Sequence, residues 1–183
     1  MARQWGGVGK VINARDEAAS HVMAGIGLTV GAVLVSALIA RANAPTPKNP
    51  KVKAEYDRLR PTPLQPPPAV FAAVWPPLFM ALTLSGLRIW NAPASAARTR
   101  ALTLWGLIQG FNALWMALGP RRLGGQLTTA VATLGAAGAY ALEARKVDAP
   151  AGALASPYLG WIGFANVLTE ELWRRNRGEH TLH

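Results

Sequence analysis

The chain has 183 residues, of which 51% are hydrophobic and 15% are charged, with a formal net charge of +10. Soluble domains carry roughly 25% charged residues, so this composition favours a membrane protein. The positive charge does not indicate nucleic-acid binding, because the basic residues flank apolar runs instead of gathering on one face. Without cysteine there are no disulfides or thiolate sites, and the three histidines share no ligand spacing, so we expect no metal.

Residues 1–20 form a basic amino-terminal segment that contains Arg3, Trp5, Lys10 and Arg15. This composition fits a mitochondrial targeting segment, and it equally fits an amphipathic segment that lies on a membrane surface. It does not fit a secretory signal peptide, because no apolar core begins before Val22. We therefore predict that the membrane domain begins after this segment.

Five predominantly apolar runs follow, at about residues 22–40, 69–90, 101–119, 123–142 and 151–173. Each is long enough to cross a hydrocarbon layer of ~30 Å as a helix that rises about 1.5 Å per residue. The sequence therefore predicts an all-α fold, an integral membrane bundle of five transmembrane helices over residues 21–176, followed by a tail at 177–183. In the first run Gly27 and Gly31 form a GxxxG pair, which allows another helix to approach closely.

Residues 42–68, between the first two runs, form a loop that is rich in proline. Proline fixes φ and removes a backbone donor, so we expect an ordered or semi-extended connection. A loop of this length is unusual in a compact bundle and more often covers a site or contacts a partner. In the second run Phe71, Trp75 and Phe79 recur at steps of four and share one helix face.

The third run contains two amides, Gln109 and Asn112. An amide that faces hydrocarbon costs several kcal/mol, so both should point into the bundle. Asn112 lies on one face with Trp105 and Trp115, which predicts a pocket wall with a polar group in it.

The fourth run is rich in small residues and is expected to close the bundle.

The fifth run shows no catalytic constellation. Its only carboxylates are Glu170 and Glu171, one turn from its end, where we expect them to pair with Arg174 and Arg175 at the membrane surface.

Three stretches carry motifs of several residues each. They are Pro66-Pro67 with Val70-Phe71 and Trp75; Phe111-Asn112 with Trp115; and Asp148 with Ala151-Gly152, Pro157-Tyr158, Trp161 and Asn176. Together with the five runs and the Pro-rich loop, these motifs resemble the translocator protein family (TspO/MBR), also called tryptophan-rich sensory proteins or peripheral-type benzodiazepine receptors. The resemblance covers the chain from about Val22 to Asn176.

The resemblance implies a bundle, often dimeric, in a mitochondrial membrane or a bacterial envelope membrane, with lipid as its surroundings. It implies transport or sensing of flat hydrophobic molecules, a porphyrin, a sterol or another lipid, with no obligatory cofactor. The implied cavity lies between the helices under the first loop. Its wall would comprise Phe71, Trp75, Phe79, Asn112, Trp115, Trp161 and Ala165. Aromatic faces stack on a planar ring system, and an amide can hydrogen-bond to it.

The chain departs from the family pattern just before the Pro-Pro pair. Family members usually carry tryptophans there, and this chain has Pro63 and Leu64. Those aromatics have been linked to porphyrin breakdown in bacterial members, so we expect no porphyrin-degrading activity and no catalytic residues. The alternative function is a structural accessory subunit of a larger membrane complex, respiratory or photosynthetic, with a degenerate ligand site.

Overall fold

The structure, a computed structural model, describes residues 6–14 and 17–177, and all regular elements in these residues are helical. The α-helices are α1 (Gly6–Val11), α2 (Ala19–Asn43), α3 (Pro50–Asp57), α4 (Pro68–Trp90), α5 (Ala96–Leu118), α6 (Leu123–Val147) and α7 (Ala149–Asn176). The predicted all-α class is thus confirmed for this part of the chain. Arg3, Trp5 and Arg15 of the basic segment and residues 178–183 of the tail lie outside the described residues.

Five of these helices, α2, α4, α5, α6 and α7, have 23 to 28 residues each. At about 1.5 Å per residue, this length is sufficient to cross a bilayer core. Three of them, α2, α4 and α5, are also apolar enough to do so by composition. Length and composition together therefore identify three candidate membrane spans among the described residues, and the count of five stays a prediction.

Local capping chemistry fixes the ends of two long helices. The Ser95 hydroxyl oxygen accepts a hydrogen bond from Arg98 N at 3.1 Å, so α5 starts at Ala96, before the predicted residue 101. The helix stops where Gly119 adopts a left-handed φ of 61°. At α7 the Asp148 carboxylate accepts from Ala151 N at 3.2 Å, which starts that helix at Ala149.

The Pro-rich loop contains a helix, α3, which the prediction of a semi-extended connection missed. Pro50 occupies the first turn of α3, where a missing N–H costs nothing and the fixed φ favours helix. Lys53 and Asp57 form an ion pair at 2.5 Å across one turn of this helix. Pro50 therefore favours the start of a helix inside a loop that was expected to be extended.

The helices pack most extensively around α6, which lies between α5 and α7, while α4 packs against α7 and α2 bridges α4 and α5. Small residues make the close α6–α7 contact feasible: Ala137, Ala144, Ala151 and Ala155 are at most 2% exposed. The predicted inward orientation of the two α5 amides is confirmed, because Gln109 is 5% exposed and Asn112 6% exposed.

The bundle has two ends that differ in what covers them. At the loop end, the connection at 44–67 lies near the C-terminal parts of α5 and α7, since Arg60 bonds to Asn176. At the opposite end, which we call the amino end, residues 6–14 contact Arg88 in the last turn of α4 and Asn91 just after it. Arg88 also bonds to Asp148 at the α6–α7 junction.

A buried hydrogen-bond chain stabilises the amino half of the bundle. The Ser85 hydroxyl donates its single proton to Ala151 O at 2.8 Å, so the Tyr140 hydroxyl must donate to Ser85 at 2.6 Å. Ser85 and Tyr140 are both 0% exposed. This chain connects α4, α6 and α7 without leaving either hydroxyl proton unpaired.

Candidate functional site

A cavity of about 290 Å³ lies at the loop end of the bundle, bordered by α4, α5, α6, α7 and the Pro-rich loop. Its volume is close to the lower limit for small-molecule sites, roughly 300 Å³. The loop and α3 contribute Tyr56, Thr62 and Gln65, and the four helices contribute Phe71, Trp75, Asn112, Trp115, Met116, Ala130, Thr133, Ile162, Ala165, Asn166, Leu168, Thr169 and Leu172.

An aromatic cluster forms the α4 side of this cavity. The Trp161 ring meets Trp75 nearly edge-on, with centroids 6.2 Å apart. It meets Phe71 in the same manner at 5.9 Å. Phe79 stacks on Trp75 at 5.2 Å with an interplanar angle of 22°. Edge-to-face and offset-stacked contacts of this kind favour a defined ring orientation, so Trp75 is held from two sides.

Five of the seven residues predicted for the site line the cavity: Phe71, Trp75, Asn112, Trp115 and Ala165. Phe79 and Trp161 are absent from its wall and instead pack against Trp75. The structure thus separates a lining layer from a supporting layer behind it. The family resemblance gave both layers the same status, and the shared helix face of Phe71, Trp75 and Phe79 did not separate them either, because residues four apart share a face whatever their depth.

Asn112 is a buried amide of the wall, 6% exposed. Its side-chain oxygen accepts a hydrogen bond from the Tyr158 hydroxyl at 2.8 Å. Its amide nitrogen has no partner among the described residues. A buried donor without a partner costs roughly 1–3 kcal/mol, so the site gains when a ligand acceptor reaches this nitrogen.

A second amide, Asn166 on α7, has the complementary free atom. Its nitrogen donates to Ala130 O at 3.0 Å and to Ile162 O at 2.9 Å. Both of those partners are carbonyl oxygens, so the side-chain orientation is fixed and the atom left without a partner must be the oxygen. The prediction from sequence omitted Asn166, although the cost of an amide in an apolar helix applies to it as it does to Asn112.

The Pro-rich loop contributes three wall residues that no sequence motif identified, namely Tyr56, Thr62 and Gln65. Burial raises the pKa of the Tyr56 phenol, its hydrogen bond with Gln126 partly opposes that rise, and Glu55 adds to it. Tyr56 therefore stays protonated and can donate a hydrogen bond across the ordinary pH range.

Two contacts hold the loop against the bundle. The Asn176 side-chain oxygen accepts from Arg60 N at 2.9 Å, and its nitrogen donates to Arg60 O at 3.2 Å. Asn176 is 1% exposed, so this paired contact is shielded from water. Glu55 of α3 forms an ion pair with Arg121 beyond the end of α5. The cavity is therefore roofed by a loop with defined attachments.

Nothing in the described residues forms a metal site, since no group of three or more His, Asp or Glu lies close enough together. The carboxylates near the end of α7 do not face the cavity. Glu171 pairs with Arg175 at 2.6 Å, as expected from their spacing.

Comparison with known proteins agrees with this geometry. The sequence model of the TspO/MBR family matches residues 26–174. The chain belongs to the TspO/MBR family. It is a membrane protein of that family, and the resemblance found in the motifs is confirmed.

Individual relatives come from mammals and from a bacterium. The chain is 32% identical over 131 residues to the translocator protein of Ovis aries, which covers 69% of this chain and 77% of that protein. It is 32% identical over 127 residues to the translocator protein of Bos taurus, covering 67% of this chain and 75% of the relative. It is 28% identical over 129 residues to protein CrtK of Rhodobacter capsulatus, covering 69% and 81%.

Proposed function

We propose that this chain spans the membrane with five helices and binds a flat hydrophobic ligand, a porphyrin or a sterol, in the cavity under the Pro-rich loop. Transport or sensing of that ligand is the resulting role. The observation that carries the proposal is the cavity itself, with aromatic faces on its α4 side and two amides with free hydrogen-bonding atoms on α5 and α7.

The five-span arrangement is supported by where the charges of α6 and α7 lie. The charged residues of α6, Glu143, Arg145 and Lys146, all fall in its last turn and a half. Those of α7 begin only at Glu170. The uncharged stretch in each helix is about 20 residues, which matches the hydrocarbon thickness.

The chemistry of the wall favours a planar ligand with a polar edge. An indole presented by Trp75 can stack on a flat ring system, which gains area without requiring any particular polar group. The free Asn112 nitrogen suits a carboxylate or carbonyl, and the free Asn166 oxygen suits an N–H or O–H. A porphyrin carries both kinds of group, and the single hydroxyl of a sterol can serve as donor or acceptor.

A titration that follows tryptophan fluorescence would test the proposal. Trp75, Trp115 and Trp161 lie at or directly behind the wall, so a bound porphyrin should quench them saturably at micromolar or lower concentration. A sterol added first should reduce that quenching if both occupy one cavity. Linear, non-saturating quenching would contradict binding at this site.

Two matched variants on α7 would locate the binding. Ala165→Phe places a phenyl group in the cavity and should weaken binding about tenfold or more. Val167→Phe adds bulk two residues away at a side chain that is 51% exposed, and should leave the affinity unchanged. Equal weakening by both variants would point to a general effect on the bundle and would contradict the assignment.

We expect no porphyrin degradation. Pro63 and Leu64 stand where the family usually has tryptophans, and the wall offers no carboxylate, histidine or cysteine as an acid, base or nucleophile. Illumination with bound porphyrin should therefore leave its absorption band unchanged. Loss of the band with this protein, but not with Trp75→Ala, would overturn this expectation.

One observation favours the second candidate, an accessory subunit of a larger membrane complex. A Cβ added at Gly27 or Gly31 would meet nothing within 4 Å, so this GxxxG face of α2 is not used inside the described bundle. Such a face permits close packing of another helix. Stable co-purification with a large complex, without saturable quenching by porphyrin, would support this function over ligand transport.

A further inference from the structure

Residues 6–14 are attached to the amino end of the bundle by side chains that cap the end of α1. The Arg88 guanidinium donates through Nη1 to Lys10 O at 2.9 Å and to Val11 O at 2.6 Å. Asn91 donates to Ile12 O at 2.8 Å. The last carbonyls of a helix lack partners within the helix, so these three bonds satisfy groups that would otherwise require water.

A largely buried ion pair and a small apolar cluster hold this segment in place. Arg88 also donates to both carboxylate oxygens of Asp148, at 2.6 and 3.0 Å, and the two side chains are only 11% and 12% exposed. Ile12 is 8% exposed and Ala14 0%, packed with Leu87 in a small cluster. One side of the segment is thus buried against α4, which fixes the side that faces away from the bundle.

The outward side is apolar with a basic residue in it. Val8 and Val11, three residues apart on α1, are 60% and 53% exposed, and Lys10 between them is exposed too. Nearby, Trp90 stacks on His21 with centroids 5.2 Å apart. The Arg98 guanidinium lies over the Trp90 ring, 5.8 Å from its centroid.

Three acidic residues of this end have partners, and the first, Glu17, lies 4.0 Å from His21. Glu143 bonds to Lys146 at 2.6 Å and to Arg100 at 3.0 Å. Asp148 is held by Arg88. Lys10 is the basic group beside the exposed valines, so the outward side carries positive charge next to apolar surface. Arg98 instead donates to Trp90 O at 2.6 Å.

We propose that this outward side, made of Val8, Lys10 and Val11, rests on anionic phospholipid headgroups at the membrane surface. Exposed valines gain free energy when they enter the boundary between headgroups and acyl chains, and a lysine beside them is attracted to the phosphates there. Trp90 and Arg98 lie at the same end of the bundle, and tryptophan and arginine are typical of that boundary. Val8, Lys10 and Val11 precede position 26, where the family match begins.

This inference rests on the proposed five-span arrangement, in which the amino end faces one membrane surface. The segment, held against α4, would then set the depth of the bundle in the bilayer.

The 183-residue chain in lipid nanodiscs allows a direct test. The chain has no cysteine, so Val8→Cys provides a single site for an environment-sensitive fluorophore. We expect strong quenching by a spin label attached at the lipid headgroup and weak quenching by aqueous iodide. The contact should be about fivefold more populated in bilayers that contain phosphatidylglycerol than in pure phosphatidylcholine, the effect expected of one basic side chain at an anionic surface.

Charge variants identify the partner. With the label at position 8, Lys10→Gln should abolish the dependence on lipid charge, while Lys51→Gln, an exposed lysine on α3, should preserve it. Iodide accessibility that is high and equal in both lipids would overturn the proposal. Protection of the label from iodide that rises with protein density in the bilayer and does not depend on lipid charge would also overturn the proposal. That result would assign the surface to another protein chain. The porphyrin titration is independent of both outcomes.

Discussion

Replacing Arg88 with methionine tests the polar junction at the amino end. The side chains of Arg88 and Asp148 are 11% and 12% exposed, so the variant leaves a buried carboxylate without its cation. Removal of one partner from a buried pair costs about 3–5 kcal/mol. The variant also removes the caps on Lys10 O and Val11 O. For a chain of this length, that cost corresponds to a melting temperature lower by roughly 6–20 °C.

The matched control is Arg100→Met. Arg100 is 56% exposed and pairs with Glu143 at 3.0 Å, and exposed pairs contribute about 0–1 kcal/mol. We therefore expect its melting temperature in the same detergent to fall by at most about 4 °C. Thermal unfolding followed by tryptophan fluorescence would measure both variants. A loss for Arg88→Met no larger than that for Arg100→Met would refute the argument that this pair is buried.

A double variant separates the unpaired charge from the lost contacts. Asp148→Asn keeps an oxygen that can accept from Ala151 N but carries no charge. Arg88→Met with Asp148→Asn should therefore recover a large part of the stability that Arg88→Met loses, since neutral groups cost less to bury. If the two substitutions instead add their losses, the cost lies in the missing caps and packing and not in the uncompensated charge.

Three further predictions concern single contacts. Gly86→Ala should destabilise by about 1–3 kcal/mol, because the new Cβ would lie 2.6 Å from Trp105 Nε1, whereas Gly106→Ala faces open space and should cost nothing in the same melt. Tyr158→Phe should cost about 1–3 kcal/mol in thermal unfolding, because the Asn112 oxygen loses its only donor in a buried site; no change would mean that water replaces the hydroxyl. Asn176→Ala should speed tryptic cleavage in the loop about tenfold, since both bonds to Arg60 are lost, while cleavage at an unchanged rate would show that Glu55 and Arg121 suffice.

The sequence predicted the positions of the long helices well, because apolar runs and the cost of buried polar groups are local properties. Gln109 and Asn112 point inward as the free energy of an amide in lipid requires. The same reasoning would have identified Asn166. The helix ends were less predictable, since α5 and α7 extend to caps at Ser95 and Asp148 that lie outside the apolar runs.

The composition of the cavity wall was only partly predictable. A shared helix face correctly grouped Phe71, Trp75 and Phe79, but depth along the bundle decides which of them borders the cavity. The loop residues Tyr56 and Thr62 reach the wall because of contacts between segments more than 60 residues apart, such as Glu55 with Arg121. No local pattern encodes such a contact, so no reading of the loop alone could have placed them.

The distribution of packing explains how the bundle can keep a cavity at one end and remain a defined structure. At the amino half, α4, α6 and α7 are joined by the Ser85–Tyr140 hydrogen bonds and by fully buried alanines, so these helices are fixed relative to one another there. At the loop half, the space between the same helices is bordered by larger aromatic groups that contact each other instead of filling it. Because each helix is continuous between the two halves, the rigid half sets the helix spacing in the hollow half. If the proposed function holds, a ligand then enters or leaves beneath the loop without requiring the helices to separate at the amino end.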